Sequence, residues 1–297
     1  MNKTTNENYN APSENINNAN YANNVNYLQM KRLFTLLILA TSLALHAQDT
    51  IRLLCIGNSF SWDAVEQELS PLCTAAKQPI VIGNLYYGGC SLQQHYNFLQ
   101  ADTAAYSFRY IKDGIRTVTE PYSLREALRL QQWDYISLQQ ASGDSGIDST
   151  FEPYLTALID TVRKYQPTAH LCWMMTWAYA ADSNHPHFPR YNSNQTTMNE
   201  AILTCVQNVL NHHPELILVP CGTAVQNARH YLGDVLCRDG YHLNLTYGRY
   251  TAACTWLEVL TGKSVIGNPY RNAAMTPKQQ RKTQRAAHKA VKHWDTL

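Results

Sequence analysis

Ile51-Arg52-Leu53-Leu54-Cys55-Ile56-Gly57-Asn58-Ser59-Phe60 joins a short apolar run to a turn that carries a serine. An apolar run this short, closed by a glycine, suits a strand buried on both faces, and the residues from about 63 to 77 repeat with helical spacing. The unit is strand, turn, helix. Working outward, strand-like runs over 80–86, 134–138, 170–176 and 216–220 alternate with helical patterns over 91–100, 123–132, 151–165, 195–211, 223–232 and 247–260, and a basic helix follows from Thr276. Residues 106–111 and 115–119 flank Lys112-Asp113-Gly114, which predicts a small hairpin inserted at the surface. Five short strands alternating with helices imply an α/β fold, a three-layer α/β/α sandwich with a five-stranded parallel sheet. No fixed-period repeat is present. In such folds the chemistry belongs in the loops just after the strands.

The 297 residues are 45% apolar and 15% charged, enough for one domain with a sizeable core beside some additional sequence. A net charge of +2 with no long basic block argues against nucleic acid as a partner. Residues 1–29 are rich in Asn and poor in aliphatics, a composition that cannot offset the entropy of ordering, so they are expected to be disordered and to precede the true start at Met30. Met30-Lys31-Arg32, the apolar run 33–45 and Ala47 read as a signal peptide over 30–47, too short for a stable membrane anchor, with the domain over 48–297. No cysteine stands between Met30 and Cys55, which argues against a lipid anchor, so the expected location is the periplasm or outside the cell.

Eight cysteines in an exported chain raise the question of disulfides. Cys55, Cys172, Cys205 and Cys254 lie in strand or helix patterns and read as small buried hydrophobes, whereas Cys221 and Cys237 form the pair to test first. There is no C-x-x-C pair, and neither metal nor cofactor is expected.

Two segments carry chemistry. Ser59 sits at a strand-to-helix turn, where free backbone N–H groups favour developing negative charge; taken alone it also fits an ordinary helix cap. Asp239-Gly240-Tyr241-His242 places a carboxylate three residues before an imidazole, as a serine nucleophile needs for its base and the base's orienter; taken alone it also fits a turn Asp beside a surface His. Gly57-Asn58-Ser59-Phe60, Gly88-Gly89-Cys90-Ser91-Leu92, Leu138-Gln139-Gln140-Ala141-Ser142 and Asp239-Gly240-Tyr241-His242-Leu243 occur in one order along the chain. Together they resemble the blocks of SGNH (GDSL-like) hydrolases, and more narrowly a branch of uncharacterised bacterial SGNH-like proteins.

The resemblance implies a flavodoxin-like α/β/α fold, Ser59 as nucleophile, Asp239 and His242 as acid and base, and an oxyanion hole from Ser59, Gly89 and a third donor. It departs in two places. Asn58 replaces the common Asp, and the G-x-N-D block is absent, so Gln139, with Gln140 as fallback, would supply the amide. The implied function is a serine-dependent carboxylic ester hydrolase, by family analogy a carbohydrate O-acetylesterase acting on a small-molecule or glycan ester. A lipase- or thioesterase-like enzyme and a non-catalytic glycan-binding protein are the alternatives. Trp62, Tyr86, Tyr87, Trp177 and Tyr179, near strand ends, would suit a sugar face. Gly143-Asp144-Ser145-Gly146 resembles a serine-protease segment but lacks the next glycine and reads as a flexible loop near the cleft. His185-Pro186-His187 reads as a solvent-exposed loop, and the basic helix keeps Ala286, Ala287, Ala290, Val291 and Trp294 for packing.

Overall fold

The computed structural model describes residues 1, 29–31 and 49–295. Residues 1–48 and 49–297 are separate units. In the first, residues 29–31 are helical, and the Asn-rich and leader segments expected there otherwise lie outside the described residues. No described helix is long and apolar enough to cross a membrane.

The second unit is built on β1 (Ile51–Gly57), β2 (Ile80–Tyr86), β3 (Tyr106–Lys112), β4 (Ile115–Tyr122), β5 (Tyr135–Leu138), β6 (His170–Met174) and β7 (Ile217–Val219), in the spatial order β4-β3-β2-β1-β5-β6-β7. The five strands expected from the apolar runs are all parallel and follow the doubly wound order β2-β1-β5-β6-β7. The expectation of a five-stranded sheet needs correction. The hairpin β3–β4 is not a surface insertion but part of the sheet, pairing antiparallel along the outer edge of β2 through the register Val81–Lys112 to Tyr86–Ser107. Its two-residue turn, Asp113-Gly114, has both φ angles positive, the geometry that matches strand twist. The gain is coverage: every residue of β2 before Tyr86 is buried, and Tyr106, Phe108 and Ile111 of β3 join the core.

Two short helices, α1 (Ser59–Val65) and α2 (Leu69–Ala75), stand where one helix over 63–77 is expected. Pro71 is the physical reason. Within a continuous helix it would forfeit the bond to the carbonyl of Gln67 and clash with it, whereas in the first turn of α2 its missing N–H has no partner to lose. The remaining helices are α3 (Leu92–Gln100), α4 (Leu124–Arg129), α5 (Tyr154–Tyr165), α6 (Gln195–His212), α7 (Cys221–Leu232), α8 (Tyr247–Thr261) and α9 (Pro277–Lys292). Helices α3, α4 and α5 pack together, and α1, α2, α7, α8 and α9 form a second group. Between them Leu53, Leu54, Cys55 and Ile56 of β1 are at most 1% exposed, as expected of a strand covered on both faces. Helix α8 is apolar nearly all round because it lies inside its group, against α1, α2, α7 and α9. In α9, Ala286, Ala287 and Ala290 face the core and the charges lie outside.

The carboxyl ends of β1 and β5 are adjacent where the strand order reverses, the place where an open α/β sheet leaves a crevice. Asn58, Ser59, Gln139 and Gln140 all stand there.

Candidate active site

The turn after β1 is organised by Asn58, whose side chain is 1% exposed. Its Oδ1 caps α1 by accepting the Phe60 N–H at 2.9 Å and also accepts Gln139 Nε2 at 2.9 Å, while its Nδ2 donates to Cys90 O at 3.0 Å. One amide thus ties together the loops after β1, β2 and β5. Ser59 follows as the first residue of α1, half-buried. Gly89 is exposed, with φ +67, a conformation in the left-handed region that costs a glycine nothing. It precedes Cys90, so Asn58 links the Ser59 turn to the Gly89 turn.

The two glutamines are held differently. Gln139 lies in the turn but gives its amide to Asn58, so it braces Asn58. Gln140 cannot serve as the fallback donor. Its Oε1 accepts the N–H groups of Leu92 and Ala141, and its Nε2 donates to the carbonyl and hydroxyl of Thr150. It fastens the start of α3 to the segment after β5.

The second half of the site is the loop before α8. Asp239 Oδ2 lies 2.7 Å from His242 Nδ1, and its Oδ1 accepts the backbone N–H of His242 at 2.8 Å and of Tyr241 at 3.2 Å. Burial pushes the Asp239 carboxyl up, but these hydrogen bonds, led by the His242 side chain, outweigh it and hold the group below the usual carboxylate value. With Nδ1 engaged by Asp239, Nε2 is the imidazole nitrogen left for proton transfer.

Asp63, one helical turn beyond Ser59, holds this loop against α1. Its fully buried carboxylate accepts the Leu243 N–H at 2.7 Å, Arg238 Nη1 at 3.0 Å and Arg249 Nη2 at 2.6 Å. Residues i and i+4 lie on one helix face, so the point where the His242 loop is fixed and the Ser59 side chain share a side of α1. Phe60 adds a second fastening. Its ring stacks on Trp177 at 4.2 Å and lies 6.1 Å from the His242 ring, while Trp177 Nε1 donates to Tyr241 O at 2.8 Å. Sequence reasoning missed Asp63. The available signal was a carboxylate four residues after the candidate nucleophile, between Trp62 and the apolar pair Ala64-Val65.

Several readings change around this frame. Trp177 and Tyr179 are fully buried and pack rather than offering a face, whereas Trp62 and Tyr86 are half-buried and hold the Arg109 guanidinium, 4.5 and 3.6 Å from their ring centroids. Ser145 is not in a flexible loop. It follows a 3-10 turn at Ser142–Asp144, is 4% exposed, donates to Ala141 O at 2.8 Å and accepts from Thr176 Oγ1 at 2.7 Å. The His185 and His187 side chains are half-buried, and the His185 ring lies edge-on to Tyr241 at 4.6 Å and 4.5 Å from Tyr179. Burial, helped by the neighbouring His187 and His242 rings, lowers the His185 pKa below the ordinary imidazole value. All eight cysteines are free; Cys221 is buried and does not pair with Cys237, while Cys55, Cys172, Cys205 and Cys254 are buried as small hydrophobes.

The model of a family described as a domain of unknown function, DUF4886, matches residues 52–290. The chain belongs to the DUF4886 family. A DUF4886 protein from Bacteroides uniformis ATCC 8492 is 43% identical, with a TM-score of 0.82 over 84% of this chain and 97% of that one. More distant likenesses are to a member of the lipolytic G-D-S-L family from Veillonella parvula DSM 2008, 16% identical with a TM-score of 0.44 over 71% of this chain and 98% of that one, and to a Clostridium thermocellum family 3 carbohydrate esterase, 16% identical with a TM-score of 0.43 over 71% and 94%. These two are too remote to speak to the chemistry of this DUF4886 member. A search of curated proteins finds no match.

Proposed function

We propose that the chain is a serine-dependent carboxylic ester hydrolase of SGNH type, exported by the leader read over 30–47. The observation that carries this is the Asp239–His242 pair, 2.7 Å apart, on a loop fastened through Asp63 to the helix that begins with Ser59. In the proposed reaction His242 takes the Ser59 proton as the hydroxyl attacks the ester carbonyl, and the tetrahedral oxyanion is met by the backbone N–H groups of Ser59 and Gly89. Collapse expels the alcohol, which receives the proton from His242. Water, activated by the same imidazole, then releases the acid. Asp239 keeps the imidazole oriented. Gln139 contributes by fixing Asn58, and its second amide hydrogen remains for the oxyanion.

The half-buried rings of Tyr241 and His185 beside His242 favour a substrate with a ring face, and we assign a carbohydrate O-acetyl ester. A fluorophosphonate probe tests the chemistry: it should label the wild type and not Ser59→Ala, while Ser145→Ala stays labelled. A wild type that resists the probe while folded points instead to a glycan-binding protein. Rates on acetyl against octanoyl nitrophenyl esters test the acyl group, and a preference for octanoyl would replace the acetylesterase reading with a lipase-like one.

A further inference from the structure

Asp63 holds more than a position along α1. The peptide unit joining His242 to Leu243 is gripped at both ends: the His242 carbonyl accepts the Arg238 N–H at 2.8 Å, and the Leu243 N–H donates to Asp63 Oδ2 at 2.7 Å. Arg238 closes the ring, since its Nη1 bonds both carboxylate oxygens of Asp63 and the Leu243 carbonyl. Arg249, from the first turn of α8, supplies the second cation to Asp63 at 2.6 Å and reaches Gln67 Oε1. The Asp63 side chain is 0% exposed and that of Arg249 8%. A carboxylate stripped of water to this extent is costly and is tolerated only with such a full set of donors.

We infer that Asp63 is a positioning residue: through Arg238 and the Leu243 amide it fixes the backbone on which the His242 ring is carried, and so sets where the base stands relative to Ser59. The inference rests on the esterase reading for its kinetic consequence, and on the hydrogen bonds alone for its structural one. A packing role would be served by an apolar side chain in this place. What the geometry provides instead is directional: every acceptor position of the carboxylate is used by the loop or by its supporting arginine. The nearest alternative anchor, Asp239, orients the imidazole from within the same loop and moves with it. Asp63 is the member that belongs to the nucleophile's own helix.

The test uses the full chain carrying Asp63→Asn, Arg238→Gln and, as a comparison, Glu258→Gln. Glu258 is a buried carboxylate that joins α8 to His288 of α9, away from the site. Asp63→Asn keeps the shape but replaces a charge shared by two arginines, and Arg238→Gln spares the Asp63–Arg249 pair should the first variant fold poorly. Asp63→Asn and Arg238→Gln should each lower kcat on an acetyl ester by about 10²-fold with KM changed less than about threefold, as misplacement of a base does. Amide exchange at Leu243 should accelerate about tenfold or more in the same two variants. Glu258→Gln should lose stability without that change in kcat or Leu243 exchange. Should Asp63→Asn and Arg238→Gln keep the wild-type kcat, or Glu258→Gln lose as much, the positioning role is overturned. If the wild type hydrolyses no ester and takes no fluorophosphonate, the esterase reading fails by itself. Leu243 exchange then decides the clamp: acceleration in both variants sustains it, and unchanged exchange removes it.

Discussion

Asn58 is the residue on which the site's geometry converges. Its side chain makes three hydrogen bonds, to α1 and to the loops after β2 and β5, so substitutions at Asn58 and at its partner Gln139 should report the same linkage. We expect Gln139→Ala and Asn58→Ala each to lower kcat about tenfold, in line with roughly 1–3 kcal/mol for a buried hydrogen bond left unmade. The double variant should be little worse than the poorer single. Additive losses in kcat measurements would mean that Gln139 acts on the oxyanion by itself. At this scale the sequence yields Ser59, Asp239 and His242 as candidates because each belongs to a short local pattern. The bracing roles of Asn58 and Asp63 were not legible. Their partners, Cys90 and Gln139 for one and Arg238, Leu243 and Arg249 for the other, are brought near only by the sheet. The low pKa of Asp239 has its own consequence: the carboxylate stays ionised as pH falls below the usual carboxylate value, so on the esterase reading its protonation should not set the acid limb of kcat/KM. In Asp239→Asn that limb should persist at a much reduced plateau. Its disappearance from the pH profile would assign it to the carboxylate instead.

Helix α1 is seven residues long, too short to be stable from its own hydrogen bonds, and it is held by acids near its C-terminal end. Asp63 fastens it to the loop before α8. Glu66, its C-cap, is buried and bonds Asn84 Nδ2 at 2.7 Å, Arg109 at 3.3 Å and Arg116 at 2.9 Å, joining α1 to β2 and the hairpin. Glu66→Ala should therefore cost about 3–5 kcal/mol, the range for breaking a buried ion pair, measured by urea unfolding. Exchange at amides of β3 should rise with it. A loss below about 1 kcal/mol would mean that the hairpin stands without the acid. The alternation of strands and helices could be read ahead because each buried parallel strand is a continuous apolar run. The hairpin's two strands were also legible, from Asp113-Gly114 between them. That it lies on β2 was not, because local periodicity says which residues form a strand and nothing about which edge receives it. The break at 66–68 had a visible cause in Pro71, which the helical spacing around it obscured.

At the scale of the whole molecule, the core contains an imidazole that burial holds neutral near pH 7. His95 is 0% exposed, stacks on Tyr106 and shares a 2.9 Å hydrogen bond with its hydroxyl, and burial lowers its pKa to about 3. A group with a folded pKa below its unfolded value of 6.5 binds fewer protons when folded, so its contribution to stability falls as pH drops below about 6.5. Between pH 7.5 and 5 this amounts to about 2 kcal/mol. His95→Gln should flatten the pH dependence of unfolding by that amount, whatever its effect at pH 7.5. Parallel curves for the two proteins would show that the imidazole is protonated in the folded state.

Asp63 and Leu243 are 180 positions apart in the chain, and this separation bears on when the candidate site is assembled rather than how. A ribosome delivers the β1–α1 unit well before the Arg238–His242 segment. Until then the Asp63 carboxylate has neither of its arginines, and water is its best partner, so α1 has reason to stay undocked while the chain is incomplete. On the esterase reading, Ser59 would stand without its base until that segment is made. On the esterase reading, delivery of the Arg238–His242 segment and arming of Ser59 become the same event.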